Sequence, residues 1–337
     1  MEGNMEGKRI AFVSPGTAKL QSYRLPALGP DEVLVRNLYT VLSAGTEKAF
    51  LLGENNTGGA FPRYLGYSAC ARVEACGDAV KTLKAGQRVI VYHGGHQTHT
   101  IQKESALHPV LAGVDSLDAA VVVIASMGLQ GVRKSRLELG ESGLVLGLGL
   151  LGLFAVQTMR AAGGCPVIAV DFSKKRLDLA VELGAHAGLS PEDPQLVEKV
   201  REITGGRNVN ATVEVTGSES ALPLALKLAS KGGRIVLAGC TRQSTQPIDF
   251  YQLVHKPGIS IIGGHNYIRP GTDSSPGYWT RADDYRTLMD LMLDGRVKSK
   301  PMISQVVSPG DCEAVYNRLA LDRDFPLGTV FDWNKLS

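Results

Sequence analysis

Apolar and polar positions follow two different rhythms along this chain. In the first third, apolar residues come in short β-branched runs. Val33-Leu34-Val35 and Arg88-Val89-Ile90-Val91-Tyr92 are examples, bounded by Gly, Pro and Asp. Such runs between turn residues predict strands. Loops rich in Gly and Asn, such as 53–59, separate them, so this region reads as a compact barrel-like domain. Near Asp118 the rhythm changes. A helix-length apolar stretch runs over 127–136, and strands and helices then alternate. Residues 144–146, 167–170, 211–215 and 234–238 predict strands. Residues 151–162, the segment capped by Ser173, the stripe Leu196, Val200 and Ile203, and residues 221–230 predict helices. That alternation implies a parallel sheet wound with helices on both faces. After His265 it weakens. A polar and aromatic loop over 266–284 leads to helices near 285–293 and 312–321 and a last strand at 328–331.

Composition narrows the class. The 337 residues suffice for two domains, and 44% hydrophobic with 20% charged residues suits a globular enzyme. A net charge of +3 without a dense basic block argues against a nucleic-acid partner. The longest apolar stretch, 119–129, is shorter than the roughly 20 residues a bilayer requires, so no membrane partner is expected. The N-terminus lacks the pattern of a signal peptide. The five cysteines, Cys70, Cys76, Cys165, Cys240 and Cys312, are odd in number and form no C-x-x-C pair. Reduced thiols and a cytoplasmic location are the expectation.

The strongest motif is Gly147-Leu148-Gly149-Leu150-Leu151-Gly152. It follows an expected strand and opens an expected helix, which is the context a pyrophosphate site needs. Glycines permit a tight turn and close approach, and the helix start offers free N–H groups. Asp171 ends the next strand, about twenty residues on, where a carboxylate binds the adenosine ribose hydroxyls. It would repel a 2′-phosphate, so NAD(H) is expected over NADP(H). Lys174, Lys175 and Arg176 follow it; Arg176 is placed among the cofactor contacts, and the three read mainly as a solvated first turn.

The order of motifs resembles the medium-chain dehydrogenase/reductase superfamily, in its zinc-type alcohol dehydrogenase branch, over nearly the whole chain. Gly86-Gln87-Arg88-Val89, the Gly147 fingerprint, Val215-Thr216-Gly217, Gly232-Gly233-Arg234-Ile235-Val236 and Gly263-Gly264-His265 carry the likeness. It implies an α/β fold: a GroES-like β-barrel catalytic domain, 1–125 and 266–337, split by a Rossmann NAD-binding domain, 126–265. It also implies that backbone near Thr216, Gly239 and Gly264 lines the nicotinamide side, with His265 among the cofactor contacts. The segment Leu42-Ser43-Ala44-Gly45-Thr46-Glu47-Lys48 is most similar to the threonine-dehydrogenase-related and bacteriochlorophyllide-dehydrogenase-like members.

The departures concern metal. Where zinc-type members carry three ligands, this chain has Ala44, Tyr67 and the neighbourhood of Val123, and the cysteine lobe of a structural zinc is missing. Alanine and valine have no donor atoms, so the usual tetrahedral site cannot form and no metal is expected. A second arrangement, His93, His96 and His99 with Glu47, converges only if the strand geometry allows it.

Without zinc, something else must move the hydroxyl proton and stabilise oxygen charge. Tyr67, at a ligand position, is the first candidate. Thr46 resembles the family's proton-relay hydroxyl, and His93 follows a strand and titrates near neutrality. Glu47 resembles an acid that backs the metal site and is expected to pair with Arg or Lys. Asn55, Asn56, His93, His96, Asn266, Tyr267, Arg269 and Trp279 suggest a polar, sugar- or polyol-like substrate, with Tyr278 and Trp279 able to stack on a sugar ring. The leading expectation is a zinc-independent, NAD(H)-dependent alcohol dehydrogenase or ketone reductase, acting as a homodimer. The alternatives are a quinone or enone reductase and a non-catalytic nicotinamide-binding protein.

Overall fold

A computed structural model describes residues 5–322 and 324–336. The chain divides into two compact units, Met1–Ile124 with Ser299–Ser337, and Ala125–Lys298. The first expectation returned the chain to the earlier unit at 266. The structure places 266–298 in the second unit instead, because Arg269 binds Ser126 and Asp284 binds Arg133 on the second half of helix Ser116–Ser135.

The first unit is built on a seven-stranded sheet. Gln305–Val307, Thr329–Asp332, Glu32–Val41, Ser68–Cys76, Arg88–Tyr92 and Leu107–Pro109 follow in order, with His99–Lys103 also paired to Glu32–Val41. Apart from the parallel pair Gln305–Val307 and Thr329–Asp332, these pairings are antiparallel. A separate ribbon joins Glu6–Ser14 to Thr17–Arg24. The C-terminal residues complete this unit by apolar packing. Tyr316, Leu319, Phe331 and Trp333 bury against Ile10, Phe12, Leu42 and Leu51. This packing brings the helix Cys312–Leu321 to the buried side of the helix Ala44–Leu52.

The second unit holds six parallel strands in the order Ala187–Leu189, Val167–Val170, Gly143–Leu146, Val209–Glu214, Ala229–Leu237 and Ser260–Gly263. Central strands of such a sheet are covered on both faces, which explains their near-continuous apolar runs. Gly143–Leu146 and Val167–Val170 are buried at every position. The register Leu146↔Val170 and Glu214↔Leu146 aligns the carboxyl ends of the strands. Gly147, Asp171 and Thr216 therefore emerge along one edge, where parallel sheets of this winding bind ligands. Ser173 does occupy the N-cap position of Lys174–Glu182, but its side chain makes no capping bond. The helix Ser116–Ser135 has the length and composition to cross a membrane, yet 72% of its apolar window is buried inside the protein, as in a core helix.

Candidate active site

The glycine turn divides its labour in the way a pyrophosphate site needs. Gly147 has φ +92°, and a Cβ there would meet the Thr216 methyl at 2.6 Å. A Cβ on Gly152 would sit 1.9 Å from the Gly147 carbonyl oxygen, so only glycine lets the helix Leu150–Ala161 approach the strand. Gly149 differs: nothing lies within 4 Å of its added Cβ. The turn is thus packed behind Gly147 and Gly152 and open in front of Gly149. The N–H groups of Leu150 and Leu151 open the helix on that side, where free donors and the helix dipole favour phosphate. Asp171 braces the turn. Its carboxylate accepts the Leu148 N–H at 2.7 Å and the Ser173 N–H at 2.8 Å. Lys174 is tied to Asp178; Arg176 makes no ion pair among the described residues.

Glu214 is a residue that the motif reading passed over. Buried at the end of its strand, it accepts the Thr216 and Gly217 N–H groups and the Thr216 hydroxyl, and burial pushes its carboxyl up. One acid in the apolar strand Ala211-Thr212-Val213-Glu214 was the available signal. It fixes the 215–217 turn, against which Gly239 packs so tightly that a Cβ would lie 2.3 Å from the Gly217 nitrogen. Gly264 is similarly close to the Leu237 carbonyl, at 2.9 Å. The His265 side chain is exposed and accepts the Tyr267 N–H at 3.2 Å.

In the first unit, three hydroxyls converge. The Tyr67 hydroxyl lies 2.6 Å from Ser43 Oγ, and the Thr46 hydroxyl is its second side-chain partner. Burial pushes the phenol up to about 12; the two hydroxyls pull the other way, and Glu47 and Tyr92 raise it further. At neutral pH Tyr67 is a proton donor. The turn that presents it requires glycine: Gly66 has φ +111°, and a Cβ would meet the His96 nitrogen at 2.4 Å. The His93 ring lies on Tyr92, with centroids 4.0 Å apart, and 6.1 Å from the Tyr67 ring; its backbone has φ +56°.

Beneath these hydroxyls lies a buried polar network. Glu47, expected to meet Arg or Lys, instead receives the Ser43 N–H at 2.8 Å, the Tyr316 hydroxyl at 2.5 Å and His96 Nε2 at 3.1 Å. The Trp333 indole N–H donates to Thr40 Oγ1 at 2.9 Å, and Thr40 lies 2.7 Å from His96 Nδ1. The Glu47 carboxylate can only accept, so Nε2 carries the hydrogen that faces it, and a neutral ring then takes the Thr40 hydroxyl hydrogen at Nδ1. Burial and the neighbouring Glu47 drive the Tyr316 phenol well above its usual range, so it stays a donor. The Glu47 carboxylate has thus exchanged water for three directed donors, the condition under which a buried charge is tolerated.

This network also settles the histidines. His96 faces Glu47, His99 pairs with Glu74 at 3.3 Å, and His93 stacks on Tyr92, so the three do not converge. Among the described residues no group of three or more His, Cys, Asp or Glu could hold a metal ion. In the second unit, Trp279 and Tyr278 each have one ring face taken by a cation of the same unit. Arg133 lies 3.9 Å over the Trp279 ring, and the Lys134 ammonium lies 4.2 Å over Tyr278. Arg133 and Arg269 both bind Asp284, which is fully buried. The aromatic pair anchors its own loop.

Comparison with known proteins agrees with this geometry. Residues 29–130 match the alcohol dehydrogenase GroES-like domain and residues 151–291 match the zinc-binding dehydrogenase domain. An alcohol dehydrogenase of Cupriavidus necator is 25% identical, covering 94% of this chain and 96% of its own. Human sorbitol dehydrogenase is 28% identical over 68% of this chain and 74% of its own. A Sinorhizobium meliloti 1021 dehydrogenase solved with NADP has the same fold, with a TM-score of 0.83 at 20% identity, covering 98% of this chain and all of that one. Matched in both units, and along nearly its whole length, the chain belongs to the medium-chain dehydrogenase/reductase superfamily as an alcohol dehydrogenase-like enzyme.

Proposed function

We propose that this protein is an NAD(H)-dependent, zinc-independent oxidoreductase that interconverts a secondary alcohol and a ketone on a polar, hydroxylated substrate. The observation that carries the reading is the Tyr67 hydroxyl, flanked by Ser43 and Thr46, at a position that the family resemblance equates with a metal ligand of zinc-type members. A nicotinamide bound to the glycine turn would supply or accept the hydride. The chain's own residues do the rest. Tyr67 retains its proton at neutral pH and donates a hydrogen bond to a carbonyl oxygen, then the proton itself as charge develops there. Ser43 and Thr46 stabilise the phenolate that is left, and Glu47 holds the backbone on which Ser43 stands.

The cofactor choice rests on Asp171, whose carboxylate disfavours a 2′-phosphate, and on Lys174, which is spent on Asp178. The polar substrate rests on the hydroxyl cluster, on the exposed Asn55 and Asn56, and on the likeness to sorbitol dehydrogenase. His96, Arg269 and Trp279 no longer support it, since each is engaged within its own unit. A homodimer is proposed through Ser260–Gly263, an edge strand that among the described residues pairs with Ala229–Leu237 alone. Turnover of a panel of ketoses and polyols with NADH and NAD tests the function. Tyr67→Phe should lower kcat on the preferred substrate by about 10²–10³ while NADH binding is kept. Wild-type turnover by that variant refutes the role given to Tyr67.

A further inference from the structure

Ser43 occupies the N-cap position of the helix Ala44–Leu52, where a serine side chain ordinarily accepts an N–H of the first turn. Here it makes no such bond, and its Oγ is instead 2.6 Å from the Tyr67 hydroxyl. Its backbone is held separately. Glu47, one turn into the helix, accepts the Ser43 N–H, and Glu47 is itself fixed by Tyr316 and His96 from segments 269 and 49 residues away in sequence. A network drawn from three parts of the chain thus locks one serine in place and leaves its hydroxyl for a phenol. Ser43 is also partly exposed, whereas Glu47 is buried. Thr46 and Tyr67 are partly exposed as well, so the hydroxyl cluster as a whole reaches solvent, with Ser43 at 2.6 Å from the phenol, and the buried carboxylate is not within the hydroxyl chain.

We infer that Ser43 is a catalytic residue that reprotonates Tyr67 from solvent, and that Glu47 and Tyr316 are positioning residues that hold it there. The inference rests on the proposed role of Tyr67 and extends it. In ketone reduction the hydride for the carbonyl carbon would come from a nicotinamide held at the glycine turn. The Tyr67 O–H bond breaks as the substrate oxygen takes its proton. The Ser43 O–H proton passes to the Tyr67 oxygen, and water supplies a proton to Ser43 Oγ. One hydride and one proton enter the substrate, one proton leaves solvent, and both side chains return to their starting state. Movement of the two side-chain protons together avoids a free serine alkoxide, whose conjugate acid is far weaker than a phenol.

Three variants test this, Ser43→Ala, Ser43→Thr and Tyr67→Phe, in the full chain. The first readout needs no turnover. The ultraviolet resonance Raman tyrosine doublet of Tyr67, isolated as the difference from Tyr67→Phe, reports its hydrogen bonding. Ser43→Ala should shift it and Ser43→Thr should restore it; an identical doublet in wild type and Ser43→Ala overturns the inference. The second readout is ketose reduction by NADH in mixed H₂O and D₂O. Ser43→Ala should lower kcat by roughly ten- to a hundredfold with the KM for NADH unchanged, and turn a curved proton inventory linear. Ser43→Thr should recover most of the rate. A slow Tyr67→Phe beside a Ser43→Ala enzyme at wild-type rate overturns the serine role alone. Wild-type rates in both overturn the phenol reading with it. Tyr316→Phe should lower kcat more than it changes KM; equal losses in kcat and thermal stability with no change in the inventory would reduce Glu47 and Tyr316 to structural supports.

Discussion

Replacing Asp284 by alanine should unsettle the second unit more than any surface substitution in it. Its carboxylate is fully buried and binds Arg133 and Arg269, and the Arg269 side chain is only 2% exposed. Arg269 further donates to the Ser126 carbonyl at 2.7 Å and to Gln130 Oε1 at 3.2 Å, so it cannot swing out to water without loss. Removing one partner of a buried ion pair costs about 3–5 kcal/mol, mostly from the charge left behind. Burial already pushes the Asp284 carboxyl up to about 6, so part of the desolvation cost is present in the wild type. The lower end, about 3 kcal/mol, is therefore expected. For a unit of this size each kcal/mol moves the midpoint by about 2–4 °C, giving a fall of roughly 6–12 °C. Differential scanning calorimetry measures it, with Asp294→Ala as control. That residue pairs with Arg296 at the surface and should leave the midpoint nearly unchanged. Limited proteolysis of the variant should cut within 266–279, the loop that Arg269 anchors. A midpoint within about 2 °C of wild type would show that the arginines find other partners, and the reasoning would fail.

Three further outcomes follow from the sites. Fluorescence titration should show NADH bound more tightly than NADPH, with Asp171→Ala eroding the difference; equal affinities in the wild type would remove the case for NAD. Because Tyr67 holds its proton up to about pH 12, its contribution to ketone reduction should be flat from about pH 6 to 9, whereas alcohol oxidation, which needs that proton to leave, should rise over the same range. A reduction profile that instead falls above a midpoint near neutrality would transfer the acid role to His93. Elemental analysis of protein purified without added metal should find far less than about one zinc per chain, since the family resemblance puts Ala44, Tyr67 and the neighbourhood of Val123 where zinc-type members carry ligands. A stoichiometric zinc would refute the zinc-independent reading.

Local signals in the sequence carried much of the second unit. Fully covered strands leave unbroken apolar runs, and the Gly147 turn needs glycine at 147 and 152 for packing, so the central strands and the fingerprint were legible, whereas the short edge strand Ala187–Leu189 was not. In the loop at 266–284, residue type alone does not say whether polar and aromatic side chains face a ligand or one another. Only the fold shows Arg133 over Trp279 and Lys134 over Tyr278.

The first unit divides in the same way. The absence of zinc donors at positions 44 and 123, and a tyrosine at 67, are facts of residue type and need no coordinates. The partners of Glu47 are different. An acid within a helix carries no mark of whether it will meet an arginine, a metal-bound histidine or a phenol, since these choices differ only in which distant segment arrives beside it. Apolar packing of Tyr316, Phe331 and Trp333 against Phe12 and Leu42 brings the C-terminal segment there. The hydrogen bonds then form among groups that burial has deprived of water. Sequence determined which chemistry was possible at this site, because side-chain atoms are fixed by residue type. Tertiary structure decided which serine touches Tyr67 and which groups hold it, because contacts across 269 residues of chain arise only when the core closes.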